Sequence, residues 1–188
     1  MLEVLERRSA VRRGHFRLSS GRHSDLFVQK FRLFEHPRLT QRFGEEIAHL
    51  FRDRFDVVAS PAVGAIVLGF CTALAAESRM VFAERDGGAL RFRRGFGFAP
   101  HERVLVVEDV VTTGGSAREV GRLVRASGGN LVGIAALIDR CDPARPADMG
   151  APYRALLKVR AASWDPAECP LCAAGDVPED PGSRRAEH

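Results

Sequence analysis

A chain of 188 residues, 45% hydrophobic and 28% charged, is long enough for one buried core and short for two. Its Gly 18 and Pro 10 are near ordinary usage, which excludes collagen-like and disordered classes, and apolar runs such as residues 62–68 stop well short of the roughly 18 residues a membrane span needs. The net charge of +4 rests on basic residues that are all arginine except Lys30 and Lys158, interleaved with acids instead of gathered in a stripe. Planar guanidinium groups suit a phosphate or carboxylate, so an anionic small molecule is the expected partner, with no nucleic acid and no membrane.

Glu3, Glu6, Arg7 and Arg8 interrupt the first apolar residues, unlike a secretory leader, and a cytoplasmic location is expected. Four cysteines, with Cys71 and Cys141 far apart, make no disulfide framework, and reduced thiols are expected. Residues 1–14 read as a short amphipathic helix with Leu2, Val4, Leu5 and Val11 inward. A turn at 18–21 leads to an alternating strand with Leu26 and Val28 on one face and Phe27 and Gln29 on the other. After Pro37, the three- and four-residue spacing of Leu39, Phe43, Ile47, Leu50 and Phe51 predicts a helix.

Short buried strands, glycine-bearing loops and helices then alternate. Strands are expected at 55–59, 80–83, 104–107 and 131–138, and helices at 65–77 and 116–126, the second stopped by Gly128 and Gly129. This rhythm marks an α/β fold whose central parallel sheet is flanked by helices. Between 85 and 101, Gly87, Gly88, Gly95 and Gly97 with Arg91, Arg93 and Arg94 suit a mobile basic hairpin. One domain is expected over 1–175, with a disordered tail at 176–188.

The strand at 104–107 runs into Glu108, Asp109, Val110, Val111, Thr112, Thr113, Gly114, Gly115 and Ser116, where a helix begins. Ligands of parallel sheets sit outside the carboxyl ends of the strands, so both acids reach the mouth of a site. Hydroxyls and backbone N–H groups at a glycine-rich helix start form an anion cradle. Acids beside a phosphate cradle suggest a sugar phosphate, the carboxylates accepting from ribose hydroxyls or holding water on Mg²⁺. The plainer alternative is a strand-to-helix turn with a serine N-cap. A P-loop is disfavoured, because no lysine precedes Ser116.

The run from Val104 to Glu119 resembles the phosphoribosyl-pyrophosphate (PRPP) motif of type I phosphoribosyltransferases. Across residues 15–141 the similarity extends to orotate phosphoribosyltransferases. It rests on Ser20, Gly21, Arg22, His23 and Ser24, on Pro61, Ala62, Val63, Gly64 and Ala65, on Arg85, and on Ile138, Asp139 and Arg140. The resemblance implies a type I fold with a small N-terminal hood and transfer of phosphoribose from PRPP to orotate, with Mg²⁺ held through PRPP and water near Glu108 and Asp109. PRPP would be bound by residues 108–116 together with Val63, Gly64 and Arg85. Catalysis would fall to Glu108, Asp109 and Arg85, and orotate to Thr112, Arg140, Phe27 and His23. It implies a homodimer in which Arg85 reaches the neighbouring site. Gly64 and His23 stand where lysines are common in the family, the short segment after Arg85 holds no lysine where the family's mobile catalytic loop carries one, and Arg91, Arg93 or Arg94 could supply the missing charge. The rivals are transfer to another base and a regulator that binds PRPP or nucleotides without turnover.

His15, His36, His49 and His101 lack ligand spacing and read as surface residues, and Cys71 as core. Cys169 and Cys172 form a lone CxxC, for which a structural turn is preferred over a zinc half-site or a redox pair. Four-coordinate zinc would need another such pair from a second subunit, or distant histidines.

Overall fold

The computed structural model describes residues 2–7, 10–18, 20–52, 54–141 and 148–181. They fall into two compact units, one made of Met1–Leu33 with Arg160–His188 and one of Phe34–Val159. No helix among the described residues is long and apolar enough to cross a membrane.

In the first unit, the expected helix over 1–14 is confined to α1 (Leu2–Arg7). The chain then enters strand β1 (Val11–Arg17), antiparallel to β2 (His23–Val28). A bulge between Arg13 and Phe16 breaks the alternation, so His15 and Phe16 are buried in succession while Arg12 and Arg13 stay exposed. That irregular pattern is why a strand there is not evident from spacing. The hairpin closes at the expected turn, where Gly21 N–H donates to the Leu18 carbonyl at 2.8 Å.

Past the short helix α2 (Phe31–Phe34), the second unit starts with α3 (Pro37–Leu50), entered through a proline whose missing N–H costs nothing in a first turn. There follow β3 (Val57–Pro61), α4 (Ile66–Ala75), β4 (Arg79–Asp86), β5 (Ala89–Phe92), β6 (Arg103–Val111), α5 (Gly115–Ala126), β7 (Asn130–Asp139) and β8 (Tyr153–Lys158). They build a six-stranded sheet of order β5-β4-β3-β6-β7-β8, parallel throughout except for β5. β3 is buried along its whole length, as a central parallel strand must be. The unit β3-α4-β4 winds one way from the centre and β6-α5-β7 the other. Right-handed crossovers therefore place α4 and α5 on opposite faces and leave a switch point between β3 and β6.

Helix α5 lays Ala117, Val120 and Val124 onto Val57, Val104, Val106 and Ile134 of the sheet. It ends where Gly128 takes φ 84 and Gly129 N–H reaches back to the Val124 carbonyl at 3.0 Å. Helices α3 and α4 pack closely because position 44 is glycine, where a Cβ would lie 2.7 Å from that of Cys71. At the amino ends of the two switch-point strands, Arg103 donates to Asp56 through Nε at 2.9 Å and Nη2 at 2.5 Å, holding that carboxyl at about 2.

The basic hairpin forms as β4 and β5 around Gly87 and Gly88, both at positive φ. Its base is anchored by Phe92, Phe96 and Phe98 against the core. Arg94 grips Glu84 with two bonds of 2.9 Å and lowers that acid's pKa. Strand β8 escapes sequence reading because its edge position leaves it no fully buried face.

The chain returns to the first unit as β9 (Ser163–Trp164), paired with β2, then a 3₁₀ turn (Pro166–Glu168) and α6 (Pro170–Ala173). Residues 176–181, counted with the tail from composition, lie along β1. Glu179 N–H donates to the His15 carbonyl at 2.8 Å, and Arg12 forks onto the Glu179 carboxylate at 2.9 and 2.8 Å. Residues 182–188 of that tail lie outside the described residues.

Candidate active site

Because β4, β3, β6 and β7 run parallel, their carboxyl ends share one edge of the sheet. That edge collects Arg85 from the end of β4, residues 62–65 after β3, Glu108 to Thr113 from the end of β6, and Arg140 after β7. A cleft of about 370 Å³ opens at the junction of β6 and α5, lined by residues 110–117 together with Arg85, Glu108, Glu119 and Arg122.

Strand β6 continues through Val111, so both acids lie inside the strand and not beyond it. Neighbouring strand residues face opposite ways, and the cleft wall includes Glu108 but not Asp109, which is 2% exposed. Backbone groups steady both side chains. Asp109 N–H donates to Glu108 Oε1 at 3.1 Å, and Val110 N–H to Asp109 Oδ1 at 2.6 Å.

The N-cap of α5 is Gly114, at φ 74, and no side chain caps the helix. Ser116 lies in the first turn instead, which removes the plain reading of a serine N-cap. Uncapped N–H groups beside Thr112, Thr113 and Ser116 make an open anion cradle of the kind phosphate uses.

Arg85 lines the cleft of its own chain, with Nη1 donating to the Gly88 carbonyl at 2.7 Å and Nη2 lying 3.7 Å from Glu119. Glu119 also accepts from Leu90 N–H at 2.6 Å, tying α5 to β5. Arg122 was not singled out by motif. Its signal is helical spacing, since positions 115, 119 and 122 share one face of α5. The exposed Val63 and half-exposed Gly64 form the loop after β3, the strand beside β6. Arg140 is fixed at the end of β7 by its N–H, which donates to the Val111 carbonyl at 2.8 Å, while Asp139 accepts from Cys141 N–H at 2.8 Å. Tyr153 of β8 is kept firmly protonated by burial and by Asp139.

Phe27 and His23 belong to the other unit, both on β2. Phe27 is half-buried with its ring 5.8 Å from Phe16. His23 is buried, with Nδ1 3.0 Å from His15 Nε2 and 3.3 Å from Cys172 Sγ. His15 is therefore no surface residue. The strand bulge turns it inward, whereas His49 and His101 are exposed and His36 partly so. Cys71 is half-buried, and all four cysteines carry free thiols.

A parallel sheet with acids at its switch point, beside an uncapped helix start and two arginines, is the arrangement of a phosphoribosyltransferase. The family model for the phosphoribosyl transferase domain matches residues 96–165. Over 184 residues the chain is 46% identical to the orotate phosphoribosyltransferase of Thermotoga maritima, covering 97% of each. It is 42% identical over 186 residues to that of Caldanaerobacter subterraneus subsp. tengcongensis, covering 98% of this chain and 97% of the relative. The crystal structure of orotate phosphoribosyltransferase from Aeropyrum pernix superposes with a TM-score of 0.68 at 27% identity, over 85% of this chain and 94% of that one. The chain belongs to the orotate phosphoribosyltransferase family.

Proposed function

We propose that the chain transfers the 5-phosphoribosyl group of PRPP to orotate, giving orotidine 5′-monophosphate and pyrophosphate, and that it works in the cytoplasm as a homodimer. The observation that carries the site assignment is the uncapped start of α5 with Glu108 on the same cleft wall. In this reading, N–H groups of residues 115–117 and the hydroxyls of Thr112, Thr113 and Ser116 hold the 5-phosphate. Glu108 accepts from the ribose hydroxyls, and its charge, with that of Asp109 next to it in the strand, opposes the positive charge that grows on the sugar as the anomeric bond breaks. Arg85 balances the charge leaving with pyrophosphate, with the backbone at Val63 and Gly64 alongside. Arg140 pairs with the orotate carboxylate next to Thr112.

The two adjacent carboxylates are hard oxygen donors of the kind that suits Mg²⁺ held through its waters and the substrate. Glu108 on the cleft wall would hold that ion through its waters, with the Asp109 charge beside it in the strand, and the ion supplies charge neutralisation to pyrophosphate when bound.

Turnover is followed by the absorbance change as orotate becomes its nucleotide, with PRPP and Mg²⁺ present. Orotate should be consumed in preference to adenine and hypoxanthine. Preference for a purine would move the assignment to another base, and PRPP binding without turnover of any base would favour the regulator.

The dimer is supported by the resemblance and by an apolar stripe on α4, where Val67, Phe70 and Leu74 are 45%, 57% and 60% exposed at helical spacing. Arg85 is half-exposed and its pair with Glu119 is screened by solvent, so a partner's pyrophosphate can outcompete it. Mixing an Arg85→Ala chain with a chain carrying both Glu108→Gln and Asp109→Asn should restore activity toward one working site per heterodimer. Verified heterodimers that stay inactive would show that each site is complete within its own chain.

A further inference from the structure

We propose that His15, His23, Cys169 and Cys172 form a structural zinc site that fastens the C-terminal segment to the N-terminal sheet. Each residue offers one ligand atom, and these four atoms all lie within 4.8 Å of one another. His15 Nε2 is 3.0 Å from His23 Nδ1, 3.4 Å from Cys169 Sγ and 3.8 Å from Cys172 Sγ, and Cys172 Sγ is 3.3 Å from His23 Nδ1. A tetrahedron with zinc–sulfur bonds near 2.3 Å and zinc–nitrogen bonds near 2.0–2.1 Å has edges of about 3.3 Å between nitrogens and about 3.6 Å from nitrogen to sulfur. The three nitrogen–sulfur distances straddle the second value, and the nitrogen–nitrogen distance of 3.0 Å lies about 0.3 Å under the first.

Hydrogen bonding alone serves this cluster poorly. His15 Nδ1–H donates to the Asp176 carbonyl at 3.1 Å, which leaves Nε2 only a lone pair for three crowding neighbours. That same bond fixes the tautomer a metal-binding imidazole requires, in the way outer-shell carbonyls commonly orient zinc ligands. His15, His23 and Cys169 are buried at 5%, 6% and 3% exposure, so their polar atoms have little water to fall back on. Two thiolates and two imidazoles in a tetrahedron select zinc, and four protein ligands leave no open position for catalysis.

The site joins β1 and β2 to α6 within one unit, across some 150 residues of chain. It also occupies the ring of His23 that the family resemblance directs to the base.

The test is elemental analysis of the full-length protein purified with no added metal, where about one zinc per chain is expected. Cys169→Ser and Cys172→Ser should each lower that content at least about tenfold. Since such variants can fail to fold, the wild-type protein is also stripped with a chelator and reloaded with Co²⁺. Intense visible bands of tetrahedral cobalt with a thiolate charge-transfer band support the site. A metal-free protein whose stripped form gives no such bands, a Cys169–Cys172 disulfide in place of metal, or undiminished zinc in the double serine variant would each overturn it.

Discussion

Glu108→Gln and Asp109→Asn, made together, should lower kcat/KM for PRPP by about 10²–10⁴-fold while leaving the thermal transition close to that of the parent chain. Both changes keep the shape of the side chain and an oxygen able to accept the backbone N–H groups now bonded to the carboxylates, Asp109 N–H at 3.1 Å and Val110 N–H at 2.6 Å. The end of β6 should therefore hold its geometry. What disappears is negative charge where the ribose becomes positive, and the hard oxygens suited to Mg²⁺. The fold-change corresponds to about 2.7–5.5 kcal/mol of transition-state stabilisation. Because Glu108 faces the cleft and Asp109 is turned away from it, the single Glu108→Gln change should account for more of the loss. Steady-state rates across PRPP and Mg²⁺ concentrations, with melting followed by circular dichroism, check both halves. A folded double variant with normal turnover would remove the acids from the mechanism.

The acid pair and its loop were legible because the chemistry is local. A β-branched strand, two acids and a glycine-bearing helix start are consecutive in the chain, and the parallel sheet delivers such a segment to the ligand edge by topology alone. The same holds for the strand-end placement of Arg140, which follows β7 directly. The first unit was less legible. The bulge in β1 spoils its period, and its partners come from the far end of the chain, where short Pro- and Asp-rich stretches carry little pattern. His15 illustrates the cost. Its neighbours Cys169 and Cys172 lie 154 and 157 residues away, a distance that no spacing rule for metal ligands spans. Arg122 stands between these cases, since it lies outside the motif core but on a helical face that the motif itself defines.

Arg140→Ala should raise the KM for orotate by roughly 10- to 150-fold, the equivalent of about 1.5–3 kcal/mol for a charge-assisted bond to the base carboxylate. The KM for PRPP should change little, because the substitution removes a side chain and leaves the backbone bond from Arg140 N–H to the Val111 carbonyl, at 2.8 Å, in place. That bond links the end of β7 to the end of β6, so the PRPP loop beginning at Thr112 keeps its anchor. Arg140→Lys separates charge from geometry. Lysine retains the positive charge but not the planar fork, and should recover only part of the affinity. Uracil, which lacks the carboxylate, gives the internal control. The parent enzyme should favour orotate strongly over uracil, and Arg140→Ala should shrink that preference by the factor lost in orotate binding. An unchanged orotate KM, or an equal loss for orotate and PRPP, would show that Arg140 supports the loop instead of reading the base.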